Sequence, residues 1–429
     1  MDILLKGGRV VDPASGTDTT ADILIKGGKI AQAGREIKAA GAKQVDCKGR
    51  IVLPGLIDVH THFRQPGRED EETFVTGSRA ALKGGFTSVL CMANTNPVID
   101  NKGLVEYVYA EADKAGLINI YTAAAVTKGL EGKELTEIGQ MAAAGARALS
   151  DDGKPVMNAE ILRRAMEYAK MFGLPVISHC EDANLSKNGV MNEGALSTRL
   201  GLKGIPRASE TVMVIRDIEI AQLTGAKLHI AHVSAKESIE ALRQAKNRKV
   251  KVTCETCPHY FTLTEEAVLG YNTGAKVNPP LRTKEDVEAV KKGLSDGTID
   301  VISTDHAPHS AEEKDVEFDF ASTGMIGLEF AASLVNSELV KGGVLGWKEV
   351  AQKMSVNPAA LLGLKGKGSL SEGSDADVTV FDPGAEWTVE AARIESKSKN
   401  TPLIGKKLSG LAVITIVGGK IRYENGKFA

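Results

Sequence analysis

A chain of 429 residues with 42% hydrophobic and 25% charged residues is a folded protein, and it is too long for one core, so one large and one smaller domain are expected. Its 53 Lys and Arg nearly cancel its 55 Asp and Glu, which leaves no cationic field for a polyanion and argues against nucleic-acid binding. MDILLKGGRV is too short an apolar run for a signal peptide, no stretch nears the roughly 18 consecutive apolar residues of a membrane span, and five cysteines (Cys47, Cys91, Cys180, Cys254, Cys257) are too few and too odd for a disulfide framework, so a cytoplasmic chain with reduced thiols and no membrane contact is expected.

The first fifty residues read as short strands at 3–5, 10–11, 23–25 and 30–31, with Gly7-Gly8 and Gly27-Gly28 as turns. The C-terminus repeats this grammar. Residues 377–381 (DVTVF) and 413–417 (VITIV) are strand-like, and Gly418-Gly419-Lys420-Ile421 echoes Gly27-Gly28-Lys29-Ile30. Neither end has enough strands to bury a core, so the two termini are expected to build one small β domain, from 1–54 plus 364–429.

Between them, over 55–363, strand-like apolar runs alternate with amphipathic helices. The runs fall at 56–62, 87–93, 118–126, 146–150, 175–179, 227–232, 250–255 and 299–305, with helices such as 158–171 and 284–293 between them. Strand–helix alternation demands parallel pairing, and eight such units predict a (β/α)₈ TIM barrel, an α/β fold. No Gly-x-Gly-x-x-Gly follows the first strand, which disfavours a dinucleotide-binding sheet.

In such a barrel the chemistry sits at the C-terminal strand ends. His60 and His62 share a face at the end of the first run, because strand side chains alternate. His179 ends the fifth run, His232 the sixth and Asp305 the eighth. A lone histidine there is ordinarily a satisfied structural residue. Four of the chain's 8 histidines, with an aspartate, all closing apolar runs, point to a metal site. Cys254-x-x-Cys257 has no second CxxC and reads as packing, as does Cys180.

At Asp58-Val59-His60-Thr61-His62-Phe63-Arg64 and Ser303-Thr304-Asp305-His306-Ala307-Pro308-His309 the chain resembles the amidohydrolase superfamily, and within it the dihydroorotases of the bacterial type I class. The similarity also takes in 54–58 (PGLID), 92–95 (MANT), 150–153 (SDDG), 178–181 (SHCE), 231–234 (AHVS), 254–260 (CETCPHY) and 278–282 (NPPLR). The resemblance implies reversible hydrolysis of dihydroorotate to N-carbamoyl-aspartate in pyrimidine synthesis, by a zinc-bridged hydroxide. It implies two Zn²⁺ per chain, one on His60, His62 and Asp305 and the other on His179 and His232, bridged by Asp152 where many amidohydrolases use a carbamylated lysine. Read from the residues alone, Asp151 and Lys154 remain alternatives for that bridge. Asp305 is then base and acid in turn, a task a positioned carboxylate can perform. Arg64 supplies a planar, bidentate clamp for the ring carboxylate. By the same resemblance Asn94 and His309 add hydrogen bonds to the carboxylate, and Asn278 and the Thr323-Gly324 backbone contact the ring.

The acidic stretch between His309 and Gly324 reads as a mobile lid. A homodimer and an aspartate transcarbamoylase partner are further expectations from the family. The rivals are a hydantoinase or dihydropyrimidinase, which usually carry the bridging lysine and lack Arg64, and a silent scaffold for a transcarbamoylase, which tends to lose metal ligands.

Overall fold

The computed structural model describes residues 2–429. Eight parallel strands form the barrel: β1 (Leu56–Thr61), β2 (Phe86–Cys91), β3 (Asn119–Ala124), β4 (Ala148–Leu149), β5 (Val176–Ser178), β6 (Leu228–Ile230), β7 (Val252–Thr256) and β8 (Val301–Ile302). Sheet order follows chain order throughout. The ring closes past the end of β8, where His306 bridges Thr61, the His62 N–H donates to the His306 carbonyl at 2.9 Å, and the Thr304 N–H donates to the Asp58 carboxylate at 3.2 Å. All eight expected runs are strands. Several paired segments are shorter than the runs because the last residues of each run bend into the mouth.

The expected helices are present as Ala159–Met171, capped by the Asn158 side chain, and Lys284–Ser295, where the Asp286 carboxylate accepts the Thr283 N–H at 3.1 Å and its hydroxyl at 2.7 Å. Side-chain oxygens there accept backbone N–H groups that the first turn leaves free. A buried cluster of Ile57, Val59, Leu90, Met92, Ala123, Ile177 and Val301 ties strands from around the barrel to Ala359, Leu362 and Leu364.

The chain ends share one nine-stranded sheet. Strand Ile51–Pro54 is its centre: it pairs in parallel with Ile3–Asp12 and antiparallel with Val378–Thr388. The glycine pairs at 27–28 and 418–419 are two-residue hairpin turns with φ of 56°, 79°, 55° and 74°, the left-handed values such turns require. The sequence echo is also a contact: the Ala376 N–H donates to Gly28 O and the Gly419 N–H to Ala376 O, both at 2.9 Å.

Gly7-Gly8 is not a turn. Ile3–Asp12 is one strand with an irregularity between Leu5 and Gly8, where the Gly7 N–H (φ 69°) donates to Asp22 Oδ1 at 2.9 Å. A Cβ on Gly8 would stand 2.6 Å from a Val52 methyl, so glycine is there for close strand approach. Residues between 389 and 405 leave the sheet and lie against the barrel mouth. Asn400 Nδ2 donates to Ala307 O (2.9 Å) and Gly324 O (3.1 Å), and Ser398 Oγ donates to Glu71 O (2.8 Å).

Candidate metal centre and active site

At the C-terminal end of the barrel, six side chains from five strand ends converge, none more than 7% exposed. Asp152 Oδ1 lies 3.3 Å from His60 Nε2 and 3.5 Å from both His179 Nδ1 and His232 Nε2, while its Oδ2 lies 3.5 Å from His62 Nε2. Asp305 Oδ1 lies 3.1 Å from His62 Nε2 and 3.6 Å from His60 Nε2. The backbone bends sharply to bring them in: His232 (φ 35°), Asp305 (φ 48°) and Arg64 (φ 56°) all adopt left-handed conformations that side chains other than glycine disfavour.

Of the three residues the sequence leaves open for the bridge, Asp152 alone faces the imidazoles. Asp151 Oδ1 accepts the Val126 and Thr127 N–H groups at 2.7 and 3.1 Å, and its Oδ2 accepts the Thr127 hydroxyl. Lys154 is exposed in the loop beyond.

The donor set fits a metal. His60 Nε2 and Asp152 Oδ1 are buried with no hydrogen-bond partner, as is His232 Nδ1. Such orphaned polar atoms cost about 1–3 kcal/mol each, and a cation would satisfy those facing the centre. Two triads, His60–His62–Asp305 and His60–Asp152–His232, have their ligand atoms within 4.8 Å of one another. Electrostatics point the same way. Burial opposes a charge on Asp152, yet the histidines around it hold its carboxyl well below the usual carboxylate range. Asp305 is likewise held at about 2, against burial, by His60, His62 and His232. Burial also works against charging His179, but Asp152 and Glu181 hold it up at about 10. His62 runs opposite, lowered by burial.

A second layer orients these ligands, as metal sites generally require. Glu255 Oε1 accepts from His60 Nδ1 at 2.6 Å; its Oε2 lies 3.2 Å from His229 Nε2, and His229 Nδ1 lies 2.8 Å from Thr253 Oγ1. His179 Nε2 meets Glu181 Oε2 at 2.9 Å, and Asn278 Nδ2 donates to that same oxygen at 2.8 Å. His62 Nδ1 donates to Asn94 Oδ1 at 2.9 Å. Asn94 and Asn278 thus stand in the mouth with one polar atom each already engaged. Sequence reasoning missed Glu181, His229 and Glu255. Their signal was a charged or polar residue within or just past an apolar run, and for Glu181 also the parity of His179 two residues before it.

Arg64 lies beside the centre, 9% exposed. Its Nε donates to Pro308 O at 3.0 Å, and its Nη2 is 3.2 Å from His309 Nε2. His309 Nε2 also donates to Thr323 O at 2.9 Å. The Gly324 N–H donates to Lys276 O at 2.9 Å, and the Gly324 carbonyl accepts from Lys314 Nζ and Asn400 Nδ2, both at 3.1 Å. The segment between His309 and Thr323 is folded rather than loose. It contains a short helix, Ala311–Lys314, and the buried lysines Lys314 and Lys276 donate to its carbonyls at Ser322, Phe318 and Asp319. Cys254 and Cys257 are buried thiols pushed up by burial, Cys254 to about 12, and Cys254 Sγ donates to Thr298 O, so packing is their role.

Residues 49–238 match the family described as Dihydro-orotase-like, and residues 335–423 match the Amidohydrolase family. Curated relatives include the dihydroorotases of Pelotomaculum thermopropionicum, 56% identical with 98% of each chain covered, and Geotalea daltonii, 53% identical over 99% of this chain and 100% of the other. Similar solved structures include an L-hydantoinase (dihydropyrimidinase) from Arthrobacter aurescens, with TM-score 0.90, 25% identity and 100% and 97% of the two chains covered. A D-hydantoinase (dihydropyrimidinase) from Thermus sp. aligns with TM-score 0.85 at 26% identity, over 100% and 96%. They share the amidohydrolase barrel. No helix among the described residues is long and apolar enough to cross a membrane. Sequence identity above half over nearly the full length, on a metal-binding donor set at the barrel mouth, makes this chain a member of the dihydroorotase family.

Proposed function

We propose that the chain catalyses the reversible hydrolytic ring opening of dihydroorotate to N-carbamoyl-aspartate, using two zinc ions per chain. The observation that carries this is the pairing of a buried His/Asp centre with a buried arginine at its rim. The centre suits amide hydrolysis, and the arginine suits a substrate carboxylate. His60, His62 and Asp305 would hold one ion, His179 and His232 the other, with Asp152 between them. Zinc bound there supplies a Lewis acid for the amide carbonyl and lowers the pKa of water.

The chain's own groups do the rest. In the hydrolytic direction, water adds to the ring carbonyl carbon, the ring C–N bond breaks, and the nitrogen leaves with a proton. Asp305, held ionised at the centre, accepts the water proton and delivers it to that nitrogen. In the reverse direction the same carboxyl works in the opposite order. Pro308 O and Glu71 take up the Nε side of Arg64, which leaves its terminal nitrogens for a substrate carboxylate beside His309. Asn94 Nδ2 extends this polar rim. Asn278 and the backbone at Thr323 and Gly324 are assigned to the ring.

The similar solved structures are hydantoinases, but a neutral cyclic amide gives Arg64 no partner. We further assign the barrel to 55–363 and the small domain to 1–54 plus 364–429. A cytoplasmic homodimer with aspartate transcarbamoylase as its partner completes the proposal. Ring opening measured on dihydroorotate, dihydrouracil and hydantoin, with zinc counted per chain, tests the reading. A preference for either neutral substrate overturns it.

A further inference from the structure

The small domain reaches the substrate mouth through one asparagine. Between the paired strands Val378–Thr388 and Lys407–Val417 the chain makes an excursion, closed at its root by the Val389 N–H donating to Lys406 O at 2.9 Å and the Gly405 N–H to Val389 O at 2.8 Å. At the barrel mouth, the Lys397 N–H donates to Glu72 Oε1 at 3.1 Å and Ser398 Oγ to the Glu71 carbonyl at 2.8 Å. Glu71 Oε1 in turn lies 2.9 Å from His309 Nδ1. Asn400, 8% exposed, then lies across two segments that line the mouth. Its Oδ1 accepts the His309 N–H at 3.2 Å, and its Nδ2 donates to Ala307 O and Gly324 O at 2.9 and 3.1 Å. Its main-chain carbonyl accepts the Ile326 N–H at 3.0 Å. The two segments touch: the Ala307 N–H donates to Met325 O at 3.0 Å. A Cβ on Gly324 (φ 146°) would stand 2.7 Å from the Ala307 methyl and 3.0 Å from His309 Nε2, so the approach is as close as glycine allows.

We propose that Asn400 is a positioning residue for substrate binding: one side chain from the small domain fixes the main chain of Ala307 and His309 on one side and of Gly324 on the other. This deepens the substrate reading given above and rests on it. The bonds to Ala307 O and to the His309 N–H bracket Pro308, whose carbonyl accepts from Arg64 Nε at 3.0 Å. Arg64, His309 and Gly324, the groups assigned to the substrate carboxylate and ring, are therefore tied to one amide. Both Nδ2 hydrogens are engaged by carbonyls and Oδ1 by an N–H, so Asn400 places these groups without touching substrate itself. The amide is the side chain the place requires. A carboxylate would set an acceptor against two carbonyl oxygens, and an apolar side chain would leave one N–H and two carbonyls without their partner. A misplacement of about 1 Å in such groups is enough to cost roughly 10²-fold.

The test uses the zinc-loaded full chain, with metal content and folding verified. Asn400→Ala should raise KM for dihydroorotate about tenfold or more with kcat within about threefold, because His60 and His179 keep their own supports in Glu255 and Glu181. In His309→Ala, which raises KM by itself, adding Asn400→Ala should cost no more than about a further threefold, since residues that act through one another are not additive. An asparagine that only supported the fold would lower the melting temperature and leave KM alone, or add its full effect in either background. A second measurement needs no variant. In the wild type, saturation with an equilibrium mixture of dihydroorotate and N-carbamoyl-aspartate should slow hydrogen exchange at the His309 and Ile326 amides, which Asn400 holds, about threefold or more, by the reciprocity of linked sites. That exchange decides even if Asn400→Ala fails to fold. An unchanged KM in folded Asn400→Ala, full additivity with His309→Ala, or unslowed exchange at the two amides each overturn the proposal and leave the substrate reading standing. An unchanged KM in His309→Ala overturns the carboxylate reading beneath it.

Discussion

Glu255→Gln isolates the electrostatic support of the metal centre. Glu255 has no exposed surface, and its two oxygens reach His60 Nδ1 at 2.6 Å and His229 Nε2 at 3.2 Å. Burial opposes its charge, yet His60 and His229 hold the carboxyl well below the usual range, so it is an anion. Glutamine keeps the shape. Its carbonyl can still accept from His60, and its amide can donate to His229, whose other nitrogen faces a Thr253 hydroxyl that can donate or accept. What disappears is the charge. A charge-assisted hydrogen bond of roughly 1.5–3 kcal/mol becomes a neutral one of about 1, a loss of about 0.5–2 kcal/mol. That corresponds to roughly 2–30-fold weaker retention of the ion on His60, overlapping the ~10–100-fold effects of outer-layer substitutions. Competition of the zinc-loaded protein against a graded chelator, with metal counted by mass spectrometry and folding followed by thermal melting, reads this directly. A folded Glu255→Gln protein that keeps its metal as tightly as the wild type would refute the claim that this acid strengthens His60 as a ligand.

Other substitutions separate the remaining roles. Asp152→Ala should lose at least one metal together with activity. Asp151→Ala should retain metal but lose about 2–4 kcal/mol of stability in denaturant titrations, because it strands the buried N–H groups of Val126 and Thr127; full metal in Asp152→Ala would reverse the two assignments. Asp305→Asn, with metal content verified, should cost roughly 10²-fold or more in kcat, and turnover within a few-fold of wild type would remove it as the proton carrier. Arg64→Met should cut kcat/KM for dihydroorotate by at least ~10²-fold and barely change that for dihydrouracil, whereas equal losses would make Arg64 structural. Lys314, pushed by burial from 10.5 to about 7, is bound to one proton fewer in the folded than in the unfolded chain between those values, so it makes stability rise with pH across that window. Lys314→Met should flatten that rise, and an unaltered slope between pH 7 and 10.5 would place the Lys314 titration elsewhere.

The linear pattern alone determined a good deal. Eight apolar runs with helices between them match a closed parallel barrel better than an open doubly wound sheet, and each run is a strand in the fold. Strand parity put His60 and His62 on one face, and run endings marked His179, His232 and Asp305, because side-chain alternation and strand polarity are local properties. Tertiary structure decided the rest, for reasons no local pattern contains. Asp151 and Asp152 are adjacent and chemically identical. Only the closed ring shows that one meets the backbone at Val126 and Thr127 while the other lies among four imidazoles. Gly7-Gly8 has the composition of a turn, and only the close approach of Val52 explains glycine inside a continuous strand. Glu71 and Glu255 read as ordinary charges in the chain. They gain their roles because folding removes them from water, where an acid must find a cation or hydrogen-bond donors, and the partners available were His309, Arg64 and His60, up to 238 residues away in sequence.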